Sequence, residues 1–144
     1  MHRSRKKWLY LITGFSYGKE KIQEALRAGV DVIQLREKNI SSAEYLCRAK
    51  ILVEMAQNTG TKVIINDRVD IALLSGADGV HLGQDDVPAQ DARRLMGSGK
   101  VIGVTAKTQE QAKAAEAAGA DYLGSGAWFP TSTKQDAVPI TQER

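Results

Sequence analysis

The sequence predicts an α/β chain of the (βα)8-barrel type, and three observations predict it. Apolar, β-branched runs alternate with helical stretches along the whole chain, and no hairpin turn signal joins two runs. One signature recurs as AGVDVIQL (28–35), GADGVHLG (76–83) and AGADYLGS (118–125): Gly29, Gly76 or Gly119 closes a helix, and Asp31, Asp78 or Asp121 opens a strand. Polar residues then collect after strand upon strand. Strands separated by helices run parallel, which leaves a doubly wound sheet or a barrel. A repeat unit of about 20 to 25 residues, and no Gly-x-Gly-x-x-Gly turn after the first strand, favour the barrel.

The elements follow in order. WLYLIT makes a strand over 8–13, and a helix over 18–28 stops at Gly29. A strand at 30–36 leads to SSAEYLCRAKILVEMAQ, a helix over 41–57 opened by the capping pair Ser41 and Glu44. KVIIN is a strand at 62–66, a helix over 68–75 ends at Gly76, and a strand occupies 78–82. A helix at 88–96 precedes a strand at 100–105. Thr108 with Gln111 opens the helix over 108–118, and the last strand is 120–125. AVPITQER reads as the opening of a sixth helix through Pro139. Such barrels need about 200 residues, so the expectation is one cut off after about six strands and five helices.

Composition bounds the partners. The 144 residues are 42% hydrophobic and 26% charged, as in an ordinary single domain. Arg3, Arg5, Lys6 and Lys7 supply the basic excess, so residues 1–7 read as a solvated tail and residues 8–144 as one domain. That tail calls for no nucleic acid. WLYLIT falls short of the about 18 apolar residues a membrane span wants, and the chain reads as cytoplasmic. Cys47, the lone cysteine, allows no internal disulfide and is expected to be a small, partly buried hydrophobe.

Chemistry gathers where strands end. Alternation along the second strand puts Val30, Val32, Gln34 and Arg36 on one face, with Lys38 in phase, while Ile33 and Leu35 take the other. An amide, a guanidinium and an ammonium there suit an anion, or a buried ion-pair layer. Asp67 and Asp86 follow the third and fourth strands. Each is a good helix N-cap. Together, on strands about 4.8 Å apart, they can also converge on one Mg²⁺, a hard cation content with two carboxylates, waters and phosphate oxygens. His81 reads as a hydrogen-bonded wall histidine more readily than as a ligand. In FPTSTKQD, Thr131, Ser132, Thr133 and Lys134 form a loop able to hold a phosphate or carboxylate, or simply a solvated turn.

QLREK, VIINDRVDIAL, ADGVHLGQDD, IGVTAKT and GSGAWFPTSTK, in that order over nearly all of 8–140, resemble the thiamine phosphate synthase family. The resemblance implies a (βα)8 barrel that joins 4-amino-2-methyl-5-hydroxymethylpyrimidine pyrophosphate to a thiazole phosphate and releases pyrophosphate. It implies that Gln34, Arg36 and Lys38 hold the pyrimidine and its pyrophosphate, with Asn66 and Lys134 as further contacts. Arg36, Lys38 and Lys134 are then the catalytic cations, and Asp67 and Asp86 the Mg²⁺ ligands. Thr105 stands where the family more often has Ser, Lys107 where His is common, and Thr131, Ser132 and Thr133 face the thiazole phosphate. The glycine-rich turns of the family's last two strands have no counterpart here. A thiazole tautomerase of similar fold, and an inactive or assembly fragment, are the competing readings; a homo-oligomer stays open.

Overall fold

The computed structural model describes residues 7–125 and the backbone of 140–141. Its elements are β1 Tyr10–Thr13, a single 3-10 turn Phe15–Tyr17, α1 Lys19–Ala28, β2 Val32–Leu35, α2 Ser42–Ala56, β3 Lys62–Asn66, α3 Val69–Ser75, β4 Gly79–Leu82, α4 Ala89–Met96, β5 Val101–Ala106, α5 Gln109–Ala117, β6 Tyr122–Ser125 and β7 Ile140–Thr141. Strands β1 to β6 pair in chain order, all parallel. This is a curled (βα) barrel wall.

The recurring AG-x-D signature turns out to be a device of the N-terminal end of the sheet. Gly29, Gly76 and Gly119 have φ of 83°, 80° and 97°. With them, the N–H groups of Val30, Ala77 and Ala120 reach back to the carbonyls of Ala25, Ala72 and Ala115 at 3.3, 3.1 and 3.0 Å. Each is a Schellman stop. The aspartate that follows clamps the strand before it: Asp31 Oδ2 accepts from Leu9 N–H at 2.9 Å, Asp78 Oδ2 from Val63 N–H at 2.7 Å, Asp121 Oδ2 from Ile102 N–H at 2.8 Å. Each returns its own N–H to the same residue's carbonyl. A helix stop and a strand clamp, fused, explain the period.

Side chains divide between two layers. Ile33, Leu35, Val63, Ile65, Val80, Leu82, Ile102 and Val104 face outward and pack with Ile22, Leu26, Leu52, Ile71, Ala92 and Met96 of the helices. Each large side chain so buried stabilises by about 1.5–3 kcal/mol. Inward lie Gln34, Ile64, Asn66, His81, Gly103, Thr105 and Tyr122, and the register Asn66↔His81↔Gly103↔Tyr122 brings four of them to one level, with Gln34 and Ile64 below it and Thr105 above. That inner face carries the polar groups.

Ser41 Oγ and Thr108 Oγ1 accept from the N–H groups of Glu44 and Gln111, both at 3.0 Å, as the capping pairs require. Three expectations change. Val30 is the residue after a Schellman glycine, so it packs with the helices instead of lining the interior. Cys47 is exposed, because Tyr45, Ala49, Leu52 and Ala56 take the buried stripe of α2. Ile140–Thr141, expected in a sixth helix, pair antiparallel with Leu123 and Gly124, where the β6 edge offers free backbone groups to a β-branched pair. Among the described residues no helix is long and apolar enough to cross a membrane.

Candidate active site at the strand ends

Two anchors, Gln34 and Glu37, aim the QLREK segment. Gln34 is 2% exposed inside the wall. Glu37 turns the opposite way, accepting from Phe15 N–H at 2.8 Å and pairing with Arg48 at 2.9 Å. Between these fixed points Arg36 and Lys38 reach the mouth of the curl. Lys38 Nζ meets Asp67 Oδ2 at 2.8 Å.

Asp67 is held by an unusual backbone. Its φ is 72°, costly for a side chain that is not glycine, and Arg68 N–H donates to the Asn66 carbonyl at 2.9 Å across it, closing a γ-turn. The Asn66 carbonyl also accepts from the Tyr45 hydroxyl at 2.8 Å. Neither acid caps a helix: the N-cap positions of α3 and α4 are Arg68 and Pro88, without side-chain caps. Asp86 Oδ2 accepts from Gly83 N–H at 2.7 Å, and its carboxyl contacts that of Asp67.

The two acids are driven apart in acidity. Burial favours the protonated form of Asp67, but its bond to Lys38, its contact with Asp86 and the charges of Lys38 and Arg36 together hold it below the usual carboxylate range. Burial lifts Asp86 above that range, reinforced by the Asp67 carboxylate and opposed by Gly83 N–H and Lys38. Asp86 is therefore the more basic of the two, the carboxyl on which a cation would compete with a proton as pH falls.

Beside Asp67 is a concavity of about 400 Å³, lined by Arg36, Lys38, Asn66, Asp67, His81, Gly83, Gln84, Asp85, Thr105, Lys107 and Gln111; Asp86 is not part of the lining. Gln34 is absent from that lining; it lies beneath, 2.8 Å from the Tyr10 hydroxyl and 2.9 Å from the Asn66 amide. Thr105 Oγ1 is 2.7 Å from His81 Nε2, and His81 Nδ1 is 3.0 Å from the Tyr122 hydroxyl. Burial lowers the His81 pKa to about 4, so it is neutral at pH 7. Burial likewise pushes Tyr10 up to about 12 and Tyr122 well above its ordinary value. Thr131, Ser132, Thr133 and Lys134 lie outside the described residues.

Sequence reasoning had not singled out Tyr10, Tyr122, Glu37 or Gln84, whose amide donates to the Thr105 carbonyl at 2.7 Å. One signal for Tyr122 existed. Gly103 sits inside an apolar strand, and an added Cβ there would run into the Tyr122 ring.

The sequence profile of the thiamine monophosphate synthase family matches residues 9–144. The chain belongs to that family. It is 48% identical over 140 residues to the thiamine-phosphate synthase of Clostridioides difficile (strain 630), covering 94% of this chain and 67% of that protein. Against the thiamine-phosphate synthase of Methanobrevibacter smithii it is 45% identical over 139 residues, 94% of this chain and 66% of the relative. Among solved structures, the thiamine phosphate pyrophosphorylase from Pyrococcus furiosus superimposes with a TM-score of 0.78 at 37% identity, over 86% of this chain and 62% of that one. This member of the synthase family thus spans about two thirds of the length of those relatives.

Proposed function

We propose that this chain is a thiamine phosphate synthase, a transferase that couples 4-amino-2-methyl-5-hydroxymethylpyrimidine pyrophosphate with a thiazole phosphate, yielding thiamine phosphate and pyrophosphate. One observation carries the reading: the Arg36 and Lys38 cations and the Asp67 carboxylate line a single mouth, with Lys38 2.8 Å from Asp67 and Asp86 beside Asp67. That combination suits a ligand which is itself polyanionic and brings a hard cation with it.

Asp67 and Asp86 fit Mg²⁺. Their carboxyls are in contact, and Asp86 is biased toward a proton that a divalent ion would displace. Bound there, Mg²⁺ would neutralise charge on the departing pyrophosphate.

Arg36 and Lys38, together with Lys134, bind the pyrophosphate oxygens and stabilise charge as the C–O bond breaks and its electron pair leaves with that group. The aminopyrimidine carries the resulting positive charge at its methylene carbon, and the thiazole nitrogen lone pair forms the new C–N bond. Asn66, Gln34 and Thr105 position the pyrimidine, and Thr131, Ser132 and Thr133 receive the thiazole phosphate. No proton transfer is required. Both substrates are small and soluble, which suits a cytoplasmic enzyme.

Calorimetric titration with the pyrimidine pyrophosphate, with and without Mg²⁺, tests this. Mg²⁺-dependent binding lost in Asp67→Ala/Asp86→Ala is expected. Equal binding by that double variant would remove the metal assignment. An affinity for the thiazole alone would point to a tautomerase instead.

A further inference from the structure

Beneath the mouth, six side chains form one unbranched series: Asn66, Gln34, Tyr10, Tyr122, His81, Thr105. A series of this kind is satisfied only when all its protons point the same way. Asp67 decides which way. With Asn66 Nδ2 donating to Gln34 Oε1, the Asn66 oxygen confronts the Asp67 carboxylate, acceptor against acceptor. Turned end for end, the Asn66 nitrogen donates to both Asp67 oxygens at 3.1 Å.

The rest follows link by link. The Asn66 oxygen now needs the Gln34 nitrogen, so the Gln34 amide turns too and its oxygen accepts from Tyr10. Tyr10 in turn accepts from Tyr122. Tyr122 has then spent its proton, so His81 Nδ1 must supply one to it. Both His81 ring nitrogens face hydroxyls in a buried site, where the imidazole keeps a single ring proton; with that proton on Nδ1, Nε2 is bare to accept from Thr105. The Thr105 hydroxyl proton therefore points inward.

We propose that Tyr122 is a positioning residue: it holds His81 as the Nδ1–H tautomer, so that Thr105 offers only lone pairs to the mouth and accepts from an N–H donor on the substrate. The exocyclic amine of an aminopyrimidine is such a donor; that assignment of ligand rests on the coupling reading above. Phosphate, an acceptor, is left to Arg36 and Lys38. Gly103 contributes by leaving room for the Tyr122 ring.

The chain has only two histidines, so long-range ¹H–¹⁵N spectra at pH 7, with His2→Gln to assign the second, read the tautomer directly. His81 is expected as Nδ1–H. An Nε2–H signature in the wild type overturns the proposal. Tyr122→Phe keeps the ring but frees Nδ1, and His81 should change to Nε2–H; Tyr10→Phe, one link further, should do the same should the first variant fail to fold. An unchanged tautomer in a folded variant reduces Tyr122 to packing and overturns its positioning role. For the ligand, affinity for the free aminopyrimidine should fall about tenfold in Thr105→Val and survive in Thr105→Ser. Equal binding by the Val variant removes the acceptor role. Absence of any pyrimidine binding by the wild type sinks the coupling reading and the ligand assignment, while the spectra still decide the tautomer.

Discussion

Tyr45→Phe removes one oxygen from a buried residue and tests whether the fold holds the site. The Tyr45 hydroxyl is 3.0 Å from the Leu35 carbonyl and 2.8 Å from the Asn66 carbonyl, donating one shared proton to the ends of β2 and β3. Its loss leaves carbonyls in a dry seam short of a donor, at a net cost of about 1–2 kcal/mol. At roughly 4 °C per kcal/mol for a domain of this size, thermal unfolding followed by circular dichroism should shift down by about 4–8 °C. The Asn66 carbonyl also closes the turn that carries Asp67, so Mg²⁺ affinity by calorimetry should fall several-fold at the same time. A melting temperature within about 1 °C of the wild type, with unchanged Mg²⁺ binding, would refute the argument that the hydroxyl ties the strand ends together.

Three further outcomes are expected. His81 has a native pKa of about 4 against an unfolded 6.5, so its contribution is fully present above pH 6.5 and is lost as pH falls through 4. That difference is worth about 3 kcal/mol, and urea unfolding at pH 7 and pH 4 should show a fall smaller by about that amount in His81→Gln. Mg²⁺ binding should weaken on acidification before an ordinary carboxylate would titrate, because the raised Asp86 carboxyl takes up a competing proton; an affinity that stays flat as the solution is acidified through the carboxylate range would contradict that upward shift. Gly79→Ala would drive a Cβ into the Val101 carbonyl of the neighbouring strand, a backbone atom with nowhere to go. A loss of more than about 3 kcal/mol is expected in chemical denaturation, and a stable variant would show that β4 and β5 are not so closely paired.

Local rules suffice for the alternation of strands and helices, because each is written within a few residues. Gly29 and Gly76 stop helices through their own φ, Ser41 and Thr108 cap through their own oxygens, and the β-branched runs have one extended choice. Parallel pairing follows from the helices between, and with it the gathering of Arg36, Lys38, Asp67 and Asp86 at one end. Those were legible from the chain alone.

Other features depend on partners far away in sequence. That Asp31, Asp78 and Asp121 clamp the preceding strand, that Gln34 supports Asn66 from below, and that Tyr10 reaches Tyr122 across 112 positions are facts of register and curl. Alternation can say which face a side chain takes, but only the curl of the sheet sets which groups meet inside it. The opposite acidities of Asp67 and Asp86 arise the same way, since burial and neighbouring charge exist only after folding.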